Sequence, residues 1–122
     1  MPISRFIQSL RDAFNGIKYA FFNERNFRIQ MLAACAVMAA AIYFPLQQYE
    51  RLLITVMVFA VLMTELLNTA IEKLLDLLQP RLHHYAKIVK DVMAAAVLLI
   101  SFCALIVGII ILLPHIVVFF AS

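Results

Sequence analysis

Thr64-Glu65-Leu66-Leu67-Asn68-Thr69-Ala70-Ile71-Glu72-Lys73-Leu74-Leu75-Asp76 follows directly on a largely apolar run, Leu52 to Met63. The run reads as membrane-spanning. After it, Glu65, Asn68, Glu72 and Asp76 recur at steps of three, four and four. On a helix those steps put the four polar groups on one face, one turn apart. A carboxylate continuous with an apolar span is costly, and its default reading is functional. The plain alternative is a helix end emerging into water. It suits Glu72 and Asp76 better than Glu65, which has apolar residues on both sides.

Composition sets the surroundings. The chain has 122 residues, 66% hydrophobic and 14% charged, with a mean hydropathy of +0.99. Soluble domains run at about 45–50% apolar and 25% charged. An integral membrane protein of one domain, 1–122, is therefore expected. No secretory signal peptide is expected, because the first apolar run starts after about 28 residues of mixed character. Cys35 and Cys103 lie in apolar runs and read as small core residues, not as a disulfide or metal site. The net charge of +3 sits in segments flanking the spans. It suits a face on anionic lipid, and no nucleic acid is expected as partner.

Ile3, Phe6, Ile7, Leu10, Phe14, Ile17, Phe21 and Phe22 recur at helical steps between basic residues. This predicts an amphipathic surface helix over 3–28, with a weak point at Gly16 and a corner at Asn23–Asn26. A first span over 29–44 is rich in Ala, which allows close helix packing. It would rise only about 24 Å against a core of about 30 Å. A polar connection, Pro45 to Arg51, leads to a second helix over 52–78, which Pro80 stops. Residues 79–91 read as a basic loop or helix start. The third span is predicted over 92–113, with Pro114 and His115 marking its end and Ile116–Phe120 as an interfacial tail.

Five Lys or Arg precede the first span and four (Lys73, Arg81, Lys87, Lys90) follow the second. Arg51 alone lies on the other side. The positive-inside rule puts the N-terminus and the second loop in the cytoplasm. Glu24, Glu72, Asp76, Lys90 and Asp91 then share one side of the membrane, with Glu65 about two turns deeper than Glu72. Carboxylates such as Glu24 and Glu72 hold Mg²⁺ together with phosphate oxygens. Arg5, Lys90 and Arg81 could hold phosphates. Glu65 could meet a lipid head and accept a proton. That set suits phosphoryl transfer from a nucleotide to a lipid hydroxyl, where the work is positioning and charge neutralisation. There is no G-x-x-x-x-G-K-[ST] or G-x-G-x-x-G element, and His83-His84 reads as a solvated pair. On these residues alone a proton-coupled carrier or pore using Glu65 and Glu72 stays open. So does a structural assembly factor.

Glu65-x-x-Asn68-Thr69-Ala70-Ile71-Glu72-x-x-x-Asp76 resembles the signature of the prokaryotic diacylglycerol kinases, the small membrane lipid kinases that include undecaprenol kinases. The resemblance extends to Phe22–Arg28 and to Ala86–Asp91 leading into Ala94–Leu98, and covers roughly residues 5–105. It implies an ATP- and Mg²⁺-dependent lipid kinase of the bacterial inner membrane. The implied fold is three transmembrane helices plus an N-terminal surface helix, assembled as a homotrimer. It implies Glu65 as catalytic base and Glu24 and Glu72 as ligands of Mg²⁺ and nucleotide. Asn68, Lys90 and Asp91 would contact ATP, with Arg5 and Asp12 of the surface helix also at the nucleotide.

Departures bear on the lipid. Proteobacterial diacylglycerol kinases have Gly-Ser where Met93-Ala94 stand here, a Tyr where Asp12 falls and a Glu where Gln30 falls. Phe14–Phe21 and Glu24–Ile29 look more like the undecaprenol kinase branch, so undecaprenol is favoured over diacylglycerol. A lone chain would leave the Ala-rich face of the first span and the polar face of the second partly bare. Sites built where subunits meet, with Glu24 and Glu72 close together, are therefore expected.

Overall fold

The structure, a computed structural model, describes residues 2–78, 81 and 83–122. It consists of four helices among the described residues: α1 (Pro2–Asn23), α2 (Arg25–Tyr43), α3 (Gln48–Leu78) and α4 (His83–Ala121). The predicted stop at Pro80 lies outside the described residues. α2, α3 and α4 are each long and apolar enough to cross a membrane. The all-helical, multi-pass architecture expected from composition is therefore present. α3 packs most extensively against α4 and next against α2, while α1 touches α2 and α3.

The break between α1 and α2 falls on one residue. Glu24 is extended, with φ −115° and ψ 112°, inside the corner expected at Asn23–Asn26, and residues 25–28 belong to α2. The α1 ladder closes with Glu24 N–H donating to Ala20 O at 2.8 Å. Arg28 Nη1 donates to Phe21 O at 3.0 Å and Asn23 Nδ2 to Tyr19 O at 2.9 Å. The Arg28 guanidinium thereby satisfies a carbonyl that the helix end leaves orphaned. Ala20 and Phe27, each 1% exposed, are buried on either side of the corner. Along α1, Ile3, Phe6, Ile7, Leu10, Phe14 and Ile17 remain exposed.

The α2–α3 hairpin is tighter than the sequence suggests. Helix resumes at Gln48, four residues before the apolar run. Gln47 N–H donates to Glu50 Oε1 at 2.9 Å, the reach-back half of a capping box. Arg51 then turns onto the end of α2, donating from Nε to Ala41 O at 2.8 Å and from Nη2 to Phe44 O at 2.9 Å. Ala41, Leu46, Ile54, Ile111 and Leu112 form the buried apolar cluster at this end of the bundle.

Two further readings need correction. The third span was predicted to end at residue 113, but α4 runs through Pro114 to Ala121. Proline removes one ladder hydrogen bond, and helices that cross membranes tolerate this where neighbours support them. Here Phe44 stacks on His115 at 6.0 Å and meets Phe119 edge-on at 6.2 Å, and Tyr43 meets Phe119 at 6.0 Å. Of the two readings of the basic stretch 79–91, the helix start holds for its described part from His83, where α4 begins. Cys35 and Cys103 are free and exposed rather than core; both lie on faces of α2 and α4 that this chain does not cover.

Among the described residues, Glu65 and Thr69 are the buried polar ones, at 3% and 7% exposed. Thr69 Oγ1 has no hydrogen-bond partner.

Two stability changes follow. Arg51→Ala should lower the unfolding free energy by about 2 kcal/mol, the scale of charge-assisted hydrogen bonds. Circular dichroism during SDS titration would read the loss, and an unmoved midpoint would mean that water replaces the guanidinium. Thr69→Val, nearly isosteric, should instead raise stability by about 1 kcal/mol by removing an unsatisfied hydroxyl. A comparable loss in the same titration would show that the hydroxyl is partnered.

Candidate active site

The carboxylates converge at the end of the bundle opposite the Arg51 hairpin. Exposure grades along the polar face of α3: Glu65 is buried, Asn68 and Glu72 are half-buried, and Asp76 is exposed. This is the pattern of a helix leaving an apolar layer one turn at a time. Glu65 has a hydrogen-bonding interaction with Asn68 and feels the charges of Glu72 and Glu24. Two acids of α3 and one from the α1–α2 corner therefore act on each other within a single chain.

Cations flank this cluster. Lys73 Nζ lies 3.6 Å from Glu24 Oε1, tying the corner to α3. It also sits 5.9 Å from the centre of the Tyr19 ring. Lys90 Nζ donates to Asp76 Oδ1 at 3.1 Å, joining α4 to α3. Lys87 Nζ donates to Asp91 Oδ2 at 2.8 Å, one turn along α4. Lys90 and Asp91 are thus brought to the rim, each already paired. Arg5 and Asp12 are exposed on α1. Asp12 accepts a hydrogen bond from Gln8 Nε2 at 2.9 Å, and among the described residues neither pairs with the carboxylate cluster.

The donor set limits what metal could be held. Among the described residues no group of three or more His, Cys, Asp or Glu could hold an ion alone. His83 and His84 are exposed at the start of α4. Mg²⁺ needs fewer protein ligands, since it binds through one or two carboxylates while phosphates and water complete its shell.

Below the acids lies an apolar groove of about 420 Å³ between α2, α3 and α4. Its α3 wall includes Ile54, Val58, Val61 and Leu62. Glu65 stands one turn beyond Val61 and Leu62 on that same face. Gln30 lines the groove from α2, and its Oε1 is buried with no hydrogen-bond partner.

Sequence reasoning missed Lys73 and Tyr19 as neighbours of Glu24, and the orphaned oxygens of Gln30 and Thr69. Lys73 follows Glu72 directly, which was the available signal for a cation at the acidic face. The position of Tyr19 depends on the crossing of α1 over α3, which no local pattern encodes.

Comparison with known proteins places this arrangement. The profile of the prokaryotic diacylglycerol kinase family matches residues 11–112. A diacylglycerol kinase of Synechocystis is 42% identical over 107 residues, 87% of this chain and 61% of the relative. An undecaprenol kinase of Bacillus subtilis is 37% identical over 112 residues, covering 92% of this chain and 91% of the relative. A diacylglycerol kinase of Escherichia coli is 30% identical over 112 residues, 92% of each chain. The chain spans about three-fifths of the Synechocystis protein but nearly all of the other two. With both the signature face of α3 and the Glu24 corner inside the matched region, the chain belongs to the prokaryotic diacylglycerol kinase family.

Proposed function

We propose that the protein is a lipid kinase that transfers the γ-phosphoryl group of ATP to the hydroxyl of a membrane lipid alcohol. The observation that carries this reading is the place of Glu65: a buried carboxylate at the head of an apolar groove, beside two further acids. A lipid tail fits the groove, and its hydroxyl then meets Glu65. Glu65 takes the hydroxyl proton as the new oxygen–phosphorus bond forms and the bond to the β–γ bridging oxygen breaks, leaving ADP. Asn68 orients the carboxylate. Glu24 and Glu72 hold Mg²⁺, which neutralises phosphate charge when bound. Lys90 and Asp91 contact the nucleotide, and Arg5 and Asp12 reach it from α1 of the assembled enzyme.

Undecaprenol is favoured over diacylglycerol. Of the two relatives matched over nearly their whole length, the Bacillus undecaprenol kinase is the more similar, at 37% against 30%, and Met93, Ala94 and Gln30 depart from the proteobacterial diacylglycerol kinase pattern. The buried, unpartnered Gln30 Oε1 offers an acceptor to a lipid hydroxyl. The exposed apolar side chains of α1 suit a helix lying in the bilayer interface, and the uncovered faces of α2 and α4 suit a homotrimer. With the basic segments cytoplasmic, the site faces ATP across the inner membrane surface. A proton-coupled carrier fits less well. It would need ionisable groups through the bilayer depth, and α3 has no charged residue between Arg51 and Glu65, nor α4 between Asp91 and Ser122.

The test is transfer of labelled phosphate from Mg-ATP to undecaprenol and diacylglycerol side by side in a bilayer. Wild type should phosphorylate undecaprenol faster. Glu65→Gln should lose about 10²–10⁴-fold in rate, the range for a general base. No transfer to either lipid by folded wild type would return the carrier reading.

A further inference from the structure

We infer that Lys73 occupies, in the nucleotide-free enzyme, the place at Glu24 that a divalent cation takes in the loaded one. This rests on the reading above that Glu24 holds the metal. Glu24 is the non-helical residue between α1 and α2, and its side chain makes no capping hydrogen bond to α2. Its carboxylate is turned instead toward α3, where Lys73 Nζ stands 3.6 Å away. That distance is an ion pair too long for a good hydrogen bond. The lysine side chain is 52% exposed and the glutamate 24%.

Three other cations at this end are engaged elsewhere. Lys90 is bound to Asp76, Lys87 to Asp91, and Arg28 to the Phe21 carbonyl. Glu65 feels the charges of both Glu72 and Glu24, and a cation at Glu24 offsets that repulsion. Lys73 supplies that charge. A half-exposed pair of this kind is weak, so an ion of charge +2 arriving with phosphates displaces the ammonium. Lys73 keeps a second resting place on leaving Glu24, because Tyr19 interacts with it through both ring and hydroxyl. The lysine therefore competes with the metal rather than assisting it, and its removal should strengthen metal binding. A lysine that merely props Glu24 in place predicts the opposite sign.

The experiment is titration of the full chain, in detergent micelles and without nucleotide, with Mn²⁺ alone. The electron paramagnetic resonance signal of the free ion reports binding. Lys73→Met should bind Mn²⁺ about two- to five-fold more tightly than wild type, as loss of a competing surface pair allows. Lys73→Arg should behave as wild type, and Glu24→Gln should bind more weakly. Equal or weaker binding by Lys73→Met, with Glu24→Gln still impaired, overturns the competition and leaves Glu24 as a metal ligand. Mn²⁺ binding indifferent to Glu24→Gln removes the metal role of Glu24, and the inference about Lys73 with it.

Discussion

Glu65 is a carboxylate with 3% of its surface exposed, on a helix whose preceding three turns are nearly all hydrocarbon. A charge in that position is unfavourable by several kcal/mol unless neighbours compensate it. Asn68, one turn on, does so through a side-chain hydrogen bond. Much of the architecture at this end follows from the demand. α3 must extend past the apolar layer so that Asn68, Glu72 and Asp76 follow in register. The α1–α2 corner must fold back on α3, which Ala20 and Phe27 achieve by being buried on either side of Glu24. At the other end Arg51 closes the hairpin, and Phe44, stacked on His115, packs against the Ala41–Ile54–Ile111 cluster.

Much of this was legible from residue order. A polar face at steps of three and four survives any packing arrangement, because the helix alone dictates it. The corner at Asn23–Asn26 was visible as a polar interruption between two helical patterns. What failed were inferences that used a local signal against a tertiary one. Pro114 reads as a stop, yet Tyr43, Phe44 and Phe119 hold helix on both sides of it. Cys35 and Cys103 read as core because their neighbours are apolar. In a membrane protein apolar surroundings do not imply the protein interior, and both are exposed. Arg51 could be counted for topology from the sequence, but its second use as the cap of α2 needed the hairpin geometry.

The same distinction separates the legible from the hidden parts of the candidate site. Residues on α3 are related by the helix and could be grouped without a structure. Residues from different elements could be grouped only by resemblance. Lys73 belongs to neither group. Its place at Glu24 depends on the angle at which α1 and α2 meet over α3, and the signature pattern leaves that position free.

Lys73 and Lys90 explain how a dense set of acids can be held at the edge of a membrane. In a low-dielectric setting Glu24, Glu65 and Glu72 would repel one another and splay the elements that carry them. Each lysine ties a flanking element to α3, Lys73 through Glu24 and Lys90 through Asp76. Buried, bidentate arginine pairs would do this more firmly, but would resist rearrangement. Half-exposed lysine pairs are weak and exchange readily. Under the proposed kinase reading the site takes up a nucleotide and its metal, and ties of this kind can be exchanged for the arriving charges. Lysine is therefore suited to a cluster that must both hold together and rearrange.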